Sequence, residues 1–150
     1  VGKYGLNVDL EFVTWASVWN IEGAKEVLEA QSAKNIGMMI DMLHFYRSRT
    51  EISQLDGLPR EWFHFVHLND APELIPDRSD VKSLAFTGLD ARLYPGEGFA
   101  PIAEIMKKLP PVVCSVELPH TARAKELGYA EHARRCLEPS KRYFAQHGLD

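Results

Sequence analysis

NIGMMID, residues 35–41, is an apolar run that ends on a carboxylate, and its reading decides the fold. Ile36, Met38, Met39 and Ile40 leave it no polar face, as expected of a strand covered on both sides. Three more runs have the same form: LNVDLE at 6–11, EWFHFVH at 61–67 and PPVVCSVE at 110–117. Their last residues are Glu11, Asp41, His67 and Glu117. A ligand-type side chain thus closes each of four strand-like runs.

Outward from these runs the chain alternates. Strand 6–13 is followed by a loop with Trp15 and Trp19, then an amphipathic helix over 21–34 with Ala24, Val27 and Leu28 on one face. Strand 36–42 passes into a polar loop, HFYRSRT, and a short helical stretch at 51–58 that stops at Gly57 and Pro59. Strand 62–68 leads into a long connection, 69–98, rich in Asp, Pro and Gly. A helix at 99–109, a strand at 112–118 and a helical tail at 121–147 follow, with a kink or break expected at Pro139.

The order βαβαβαβα predicts an α/β fold with a parallel sheet. An open doubly wound sheet would normally carry a Gly-rich phosphate loop after an early strand, and none occurs; the glycines cluster at PGEG, 95–98. A (β/α)8 barrel of the TIM type takes about 250 residues, so four βα units over residues 1–150, read as one domain, make half a barrel. Half a barrel leaves two open sheet edges. A preceding half-barrel or a second chain, in a homo-oligomer, is expected to close them.

All strands of a parallel barrel end at the same mouth, with neighbours about 4.8 Å apart. Four ligand side chains at four strand ends therefore converge without a loop reaching across. A single carboxylate at a strand end is usually just solvated, and a single His is more often a hydrogen-bonded structural residue. Four together point to one divalent ion. Three carboxylates and one imidazole form a mostly hard donor set, which favours Mn²⁺, Mg²⁺ or Co²⁺ and also admits Zn²⁺. His64 competes with His67, but alternation puts it in the opposite phase and it lies further from the strand terminus.

Composition narrows the partners. With 45% hydrophobic residues the chain can bury a core, and a net charge of −4 argues against duplex nucleic acid. No apolar stretch approaches the roughly 18 residues of a membrane span. Cys114 and Cys136 lie in an apolar run and a helical pattern, so a disulfide or a thiolate metal site is not expected, and a reducing cytoplasm is.

These residues resemble the C-terminal half, strands five to eight, of the xylose isomerase-like TIM-barrel superfamily. That superfamily includes sugar-phosphate isomerases and epimerases and the family 2 AP endonucleases, endonuclease IV among them. The four ligands stand where that family holds its metal. Further matches are the D-x-x-H step at Asp41–His44, HLNDA from His67, and R-x-x-P-G-E-G from Arg92 to Gly98. The resemblance covers about residues 6–145. Endonuclease IV-like members place a D-x-H step near Asp90–Arg92; here the third residue is Arg92, which argues for a single metal and against the nuclease.

The resemblance implies a divalent-metal-dependent sugar or sugar-phosphate isomerase/epimerase, working through an enediolate by proton transfer beside a carbonyl. Glu11 and Glu117 would serve as both ligands and acid/base pair, while His44 and Arg92 would hold substrate oxygens. Asp70 is expected either to orient His67 or a neighbouring cation, or to cap a loop. Arg47 and Arg49 read as solvated loop residues, with phosphate contact as the alternative; Trp15 and Trp19 either wall the pocket or pack. The substrate would be a small sugar or polyol. A lyase of the 3-dehydroshikimate dehydratase type is the rival, and a non-catalytic half-barrel is the third reading.

Overall fold

A computed structural model describes residues 2–149. Its four strands, β1 (Val8–Glu11), β2 (Ile36–Asp41), β3 (Phe65–Leu68) and β4 (Val113–Val116), form one parallel sheet in the order β1-β2-β3-β4. Helices α1 (Ile21–Glu29), α2 (Met42–Arg47), α3 (Val81–Asp90), α4 (Ile102–Lys108), α5 (Thr121–Leu127) and α6 (Tyr129–His147) follow in chain order. The α/β half-barrel expected from the run pattern is what is observed.

Strand register explains both faces of the sheet. Glu11 lies opposite Met39, Asp41 opposite His67, and His67 opposite Ser115. Met39 and Asp41 are two apart, as are Ser115 and Glu117, so Glu11, Asp41, His67 and Glu117 share one face. From strand to strand the ligand position advances by two residues, none and two. Continued around eight strands, that alternation gives the shear of about eight that closes a TIM barrel. The opposite phase, with Met38, Ile40, Val66 and Leu68, joins Phe12, Ile21, Ala24, Leu28, Ile102 and Ile105 in the core beneath the helices. Met38, Ile40 and Val66 are fully buried, each stabilising the sheet by roughly 1.5–3 kcal/mol.

Several expected boundaries shift, each for a local reason. Helix α1 ends at Glu29 rather than near 34, because residues 31–34 are exposed and bury nothing. The stretch at 51–58 contracts to a 3₁₀ turn, Ile52–Leu55, held by the reciprocal side-chain caps of Glu51 and Gln54. The polar loop expected after β2 is instead α2, nucleated by the Asp41 side chain, which accepts from His44 N at 3.0 Å. The connection 69–98 contains α3, capped by Asp80 and buried only through Leu84 and Gly88. Since Val81, Phe86 and Leu89 of α3 stay exposed, no apolar stripe marks that helix in the sequence.

The helical tail also differs from expectation. Its break falls at Gly128, with φ of 77°, and α6 continues through Pro139. The carbonyl that loses its partner to the proline is that of Arg135, an exposed residue, and Ser140 Oγ donates to Cys136 O at 2.7 Å one position on. Among the described residues, no helix is long and apolar enough to cross a membrane.

Candidate metal centre

At the mouth of the sheet, one ligand atom from each of Glu11, Asp41, His67 and Glu117 lies within 4.8 Å of all the others. A cation with bonds of about 2.1 Å sets its ligand atoms roughly 3–4.2 Å apart, so side-chain shifts of about half an ångström would bring the cluster to the span of a single ion. His67 Nδ1 sits 3.1 Å from Glu117 Oε2, 3.8 Å from Glu11 Oε1 and 3.9 Å from Asp41 Oδ2. Both His67 Nδ1 and Glu117 Oε2 are buried, and their contacts with each other and with Arg92 are ion pairs rather than well-directed hydrogen bonds. Buried polar atoms are normally satisfied. Two buried atoms joined only by such contacts, on a cluster of three carboxylates and one imidazole, make a donor set that fits a divalent ion.

The protein's own charges stand in for that cation. Contact with the Glu11 carboxylate, then with that of Glu117, pushes the His67 imidazole up to about 9, against the opposing effect of burial. Contact with His67 holds the Glu117 carboxyl below the usual carboxylate range, assisted by Arg92 and again opposed by burial. Arg92 Nη1 bonds Asp41 Oδ2 and lies 2.9 Å from Glu117 Oε2, while its Nε donates to Gly88 O at 2.7 Å. Three carboxylates therefore face two cations, His67 and Arg92. A divalent ion that displaces the His67 proton would bring the cluster to neutrality.

Asp41 serves two structures at once. Its Oδ1 caps α2, and its Oδ2 faces the cluster, where Asn69 Nδ2 donates to it at 2.8 Å. Asn69 Oδ1 in turn accepts from Leu43 N at 3.0 Å. Asn69 is fully buried and fixes Asp41 against the start of α2. Sequence reasoning passed over it, although it sits inside HLNDA.

The role of orienting His67 does not fall to Asp70. Its carboxylate is buried and taken up by four backbone amides, those of Ala71, Gly96, Gly98 and Ala100, at 2.8–3.0 Å. Asp70 is the loop cap, and it clamps the R-x-x-P-G-E-G segment onto β3. Gly98 is required there, since a Cβ would stand 2.3 Å from Ala71 O and 2.6 Å from Asp70 Oδ1. Gly96 instead serves the turn through its φ of 91°.

His44 and Arg92 are likewise tied into the scaffold by their neighbours. His44 is 1% exposed and Arg92 4%. Thr14 N and Oγ1 approach His44 Nδ1 at 3.5 and 3.3 Å, and Trp15 meets the ring edge-on at 5.0 Å. Burial holds the His44 pKa down, so the ring is neutral, with Nδ1 accepting from Thr14. Trp15 packs against α3 so closely that a Cβ at Gly88 would stand 2.4 Å from its ring. His64, the competing imidazole, is outside the cluster and bonds Asp9 Oδ1 at 2.6 Å. Cys114 and Cys136 are free and half-buried, neither contributing to the centre.

Arg47 corrects the reading of a solvated loop. It is the last residue of α2 and only 6% exposed. Arg49 is exposed, with a φ of 55°.

Comparison with known proteins adds relatives of one kind. No family model matches the chain. An inosose isomerase of Halalkalibacterium halodurans is 28% identical over 97 residues, which cover 63% of this chain and 32% of that protein. An inosose isomerase of Bacillus velezensis is 26% identical over the same length and shares. The matched segment thus spans about a third of the curated relatives. Among solved structures, the IOLI protein with a bound zinc atom superposes with a TM-score of 0.79 at 22% identity, over 97% of this chain and 51% of that one. A xylose isomerase domain protein from Alicyclobacillus acidocaldarius gives 0.71 at 24%, over 97% and 53%. The fold is that of one half of a TIM barrel.

Proposed function

We propose that this chain supplies the metal-binding half of a divalent-metal-dependent isomerase acting on a keto-sugar or keto-polyol, with the inososes as first candidates. One observation carries the reading: four ligand atoms from four successive strands converge within 4.8 Å, and two of them are buried with no well-directed hydrogen bond. The inosose isomerase relatives and the zinc-bound IOLI structure support it. Glu11, Asp41, His67 and Glu117 would hold the ion, Mn²⁺ or Zn²⁺ being the first to try. A divalent cation there supplies Lewis acidity toward a carbonyl and the hydroxyl beside it.

The chain's own groups then divide the remaining work. Glu11 and Glu117 stand on the two outer strands and flank the mouth, so one carboxylate takes the proton from the carbon beside the carbonyl and the other returns a proton across the same unit. Arg92 holds Asp41 and Glu117 in place and offsets their charge. Asn69 fixes Asp41, and the neutral His44 braces Trp15 and Thr14 behind the mouth. Strands β1 and β4 form the open edges of the sheet, and four further strands, from a preceding half-barrel or from a second chain, would close it and complete the pocket.

Proton NMR of an inosose with the metal-loaded protein in D₂O tests the reading. Deuterium entering at the carbon beside the carbonyl, without loss of water, is the expected result, and Glu117→Gln should abolish it. Growth of an alkene absorbance would replace isomerase by dehydratase. Tight metal binding with neither signal would leave a non-catalytic half-barrel.

A further inference from the structure

Arg47 is a buried cation that the protein does not answer. Its Nε and Nη1 are buried and have no hydrogen-bond partner, and among the described residues no carboxylate pairs with it. Arg92 is buried to a similar degree, yet bonds a backbone carbonyl and two carboxylates. Burial pushes the Arg47 pKa down, Tyr46 opposes that, and the charge of Arg92 pushes it down further. An unpaired guanidinium inside a fold is costly, so its persistence signals an acceptor supplied from elsewhere.

Arg47 lines two clefts. The first, of 320 Å³, is also lined by Thr14, Trp19, Arg49, Asp77 and Arg78. The second, of 490 Å³, runs past Leu74, Lys82 and Phe86. Three arginines thus meet one aspartate in the first cleft. The Asp77 carboxylate is turned to Ser79, accepting from its N at 2.9 Å and its Oγ at 2.5 Å. Arg78 lies over the Trp19 ring at 4.5 Å, and its Nη2 approaches Ala16 O at 3.5 Å. The Arg47 guanidinium is a donor only, so its complement in the cleft is an acceptor, and the surplus positive charge selects an anionic one.

We infer that the cleft around Arg47, Trp19 and Arg78 is an oxyanion subsite, taking a phosphate or carboxylate group on the Arg47 guanidinium. It lies close to the metal centre. Arg47 is six residues beyond Asp41, roughly 9 Å at the helical rise, and Thr14 both lines the cleft and contacts His44. That the anion belongs to the molecule processed at the metal centre rests on the reading under Proposed function; the affinity of the cleft for an oxyanion does not.

Calorimetric titration of the metal-free protein with inorganic phosphate, and separately with acetate, tests the subsite. One of the two is expected to bind saturably at one equivalent, and the tighter identifies the group. Arg47→Met should weaken it about 10-fold or more, the effect of losing a charged hydrogen-bond donor. Arg78→Gln, at an exposed position, should weaken it about threefold, as expected for a rim charge. Both variants should keep the wild-type Mn²⁺ affinity. Absence of saturable binding by either anion, or wild-type anion affinity in the variants, overturns the proposal. If circular dichroism shows Arg47→Met unfolded, Arg78→Gln decides: weakened binding supports the subsite and unchanged binding overturns it. Mn²⁺ failing to bind while phosphate still does so through Arg47 would sink the metal reading and leave the subsite standing.

Discussion

Metal and proton compete for His67, and the competition can be measured. In the metal-free protein the Glu11 and Glu117 carboxylates hold this imidazole up to about 9, so at neutral pH it carries a proton on the atom that faces the cluster. A cation bound through that atom must expel it. Each pH unit below the pKa costs about 1.4 kcal/mol, so two units, from about 9 to 7, cost about 2.7 kcal/mol, or roughly 100-fold in apparent affinity. Titration of Mn²⁺ by calorimetry under nitrogen between pH 6.5 and 8.5 should therefore show affinity rising close to tenfold per unit. The carboxylates are already ionised over this range, with Glu117 held below its usual value. Parallel titrations in buffers of different ionisation enthalpy should report close to one proton released per ion at pH 7. An affinity that changes less than about threefold from pH 7 to 8.5, or no proton release, would refute His67 as a ligand.

Further outcomes follow from the same contacts. The stability contributed by protonated His67 to the metal-free protein is fully present below its unfolded value of 6.5 and is lost as pH rises through about 9. Thermal unfolding of the metal-free protein should accordingly show a midpoint that falls between pH 7 and 9.5, and saturating Mn²⁺ should reduce the fall. Asn69→Leu keeps the volume but removes the donor to Asp41 Oδ2 and the acceptor for Leu43 N, and should lower Mn²⁺ affinity about 10- to 100-fold by calorimetry. Gly98→Ala drives a Cβ against Ala71 O and the Asp70 clamp, and should cost about 1–3 kcal/mol in urea unfolding. Ile40→Ala removes a fully buried side chain from β2 and should cost about 2–5 kcal/mol by the same measurement.

What the sequence determined by itself was the sheet and its mouth. Runs such as NIGMMID have no polar face, and that pattern alone calls for strands covered on both sides. A ligand-type residue at the end of each run then has to appear at one mouth, because parallel strands all end on the same side. The chain could not announce α2 or α3 in this way, since a six-residue helix is shorter than the window in which a period shows and α3 buries little more than Leu84 and Gly88. Residue identity also misled about which polar groups face outward. Asp70, His44, Arg92 and Arg47 are all of types that usually meet solvent or substrate. Whether each is consumed by a backbone amide, a threonine, a neighbouring carboxylate or nothing at all depends on segments 26 to 51 residues away along the chain. Only the folded chain brings those partners within reach, and it leaves Asp70 a clamp, Arg92 a brace and Arg47 unpaired.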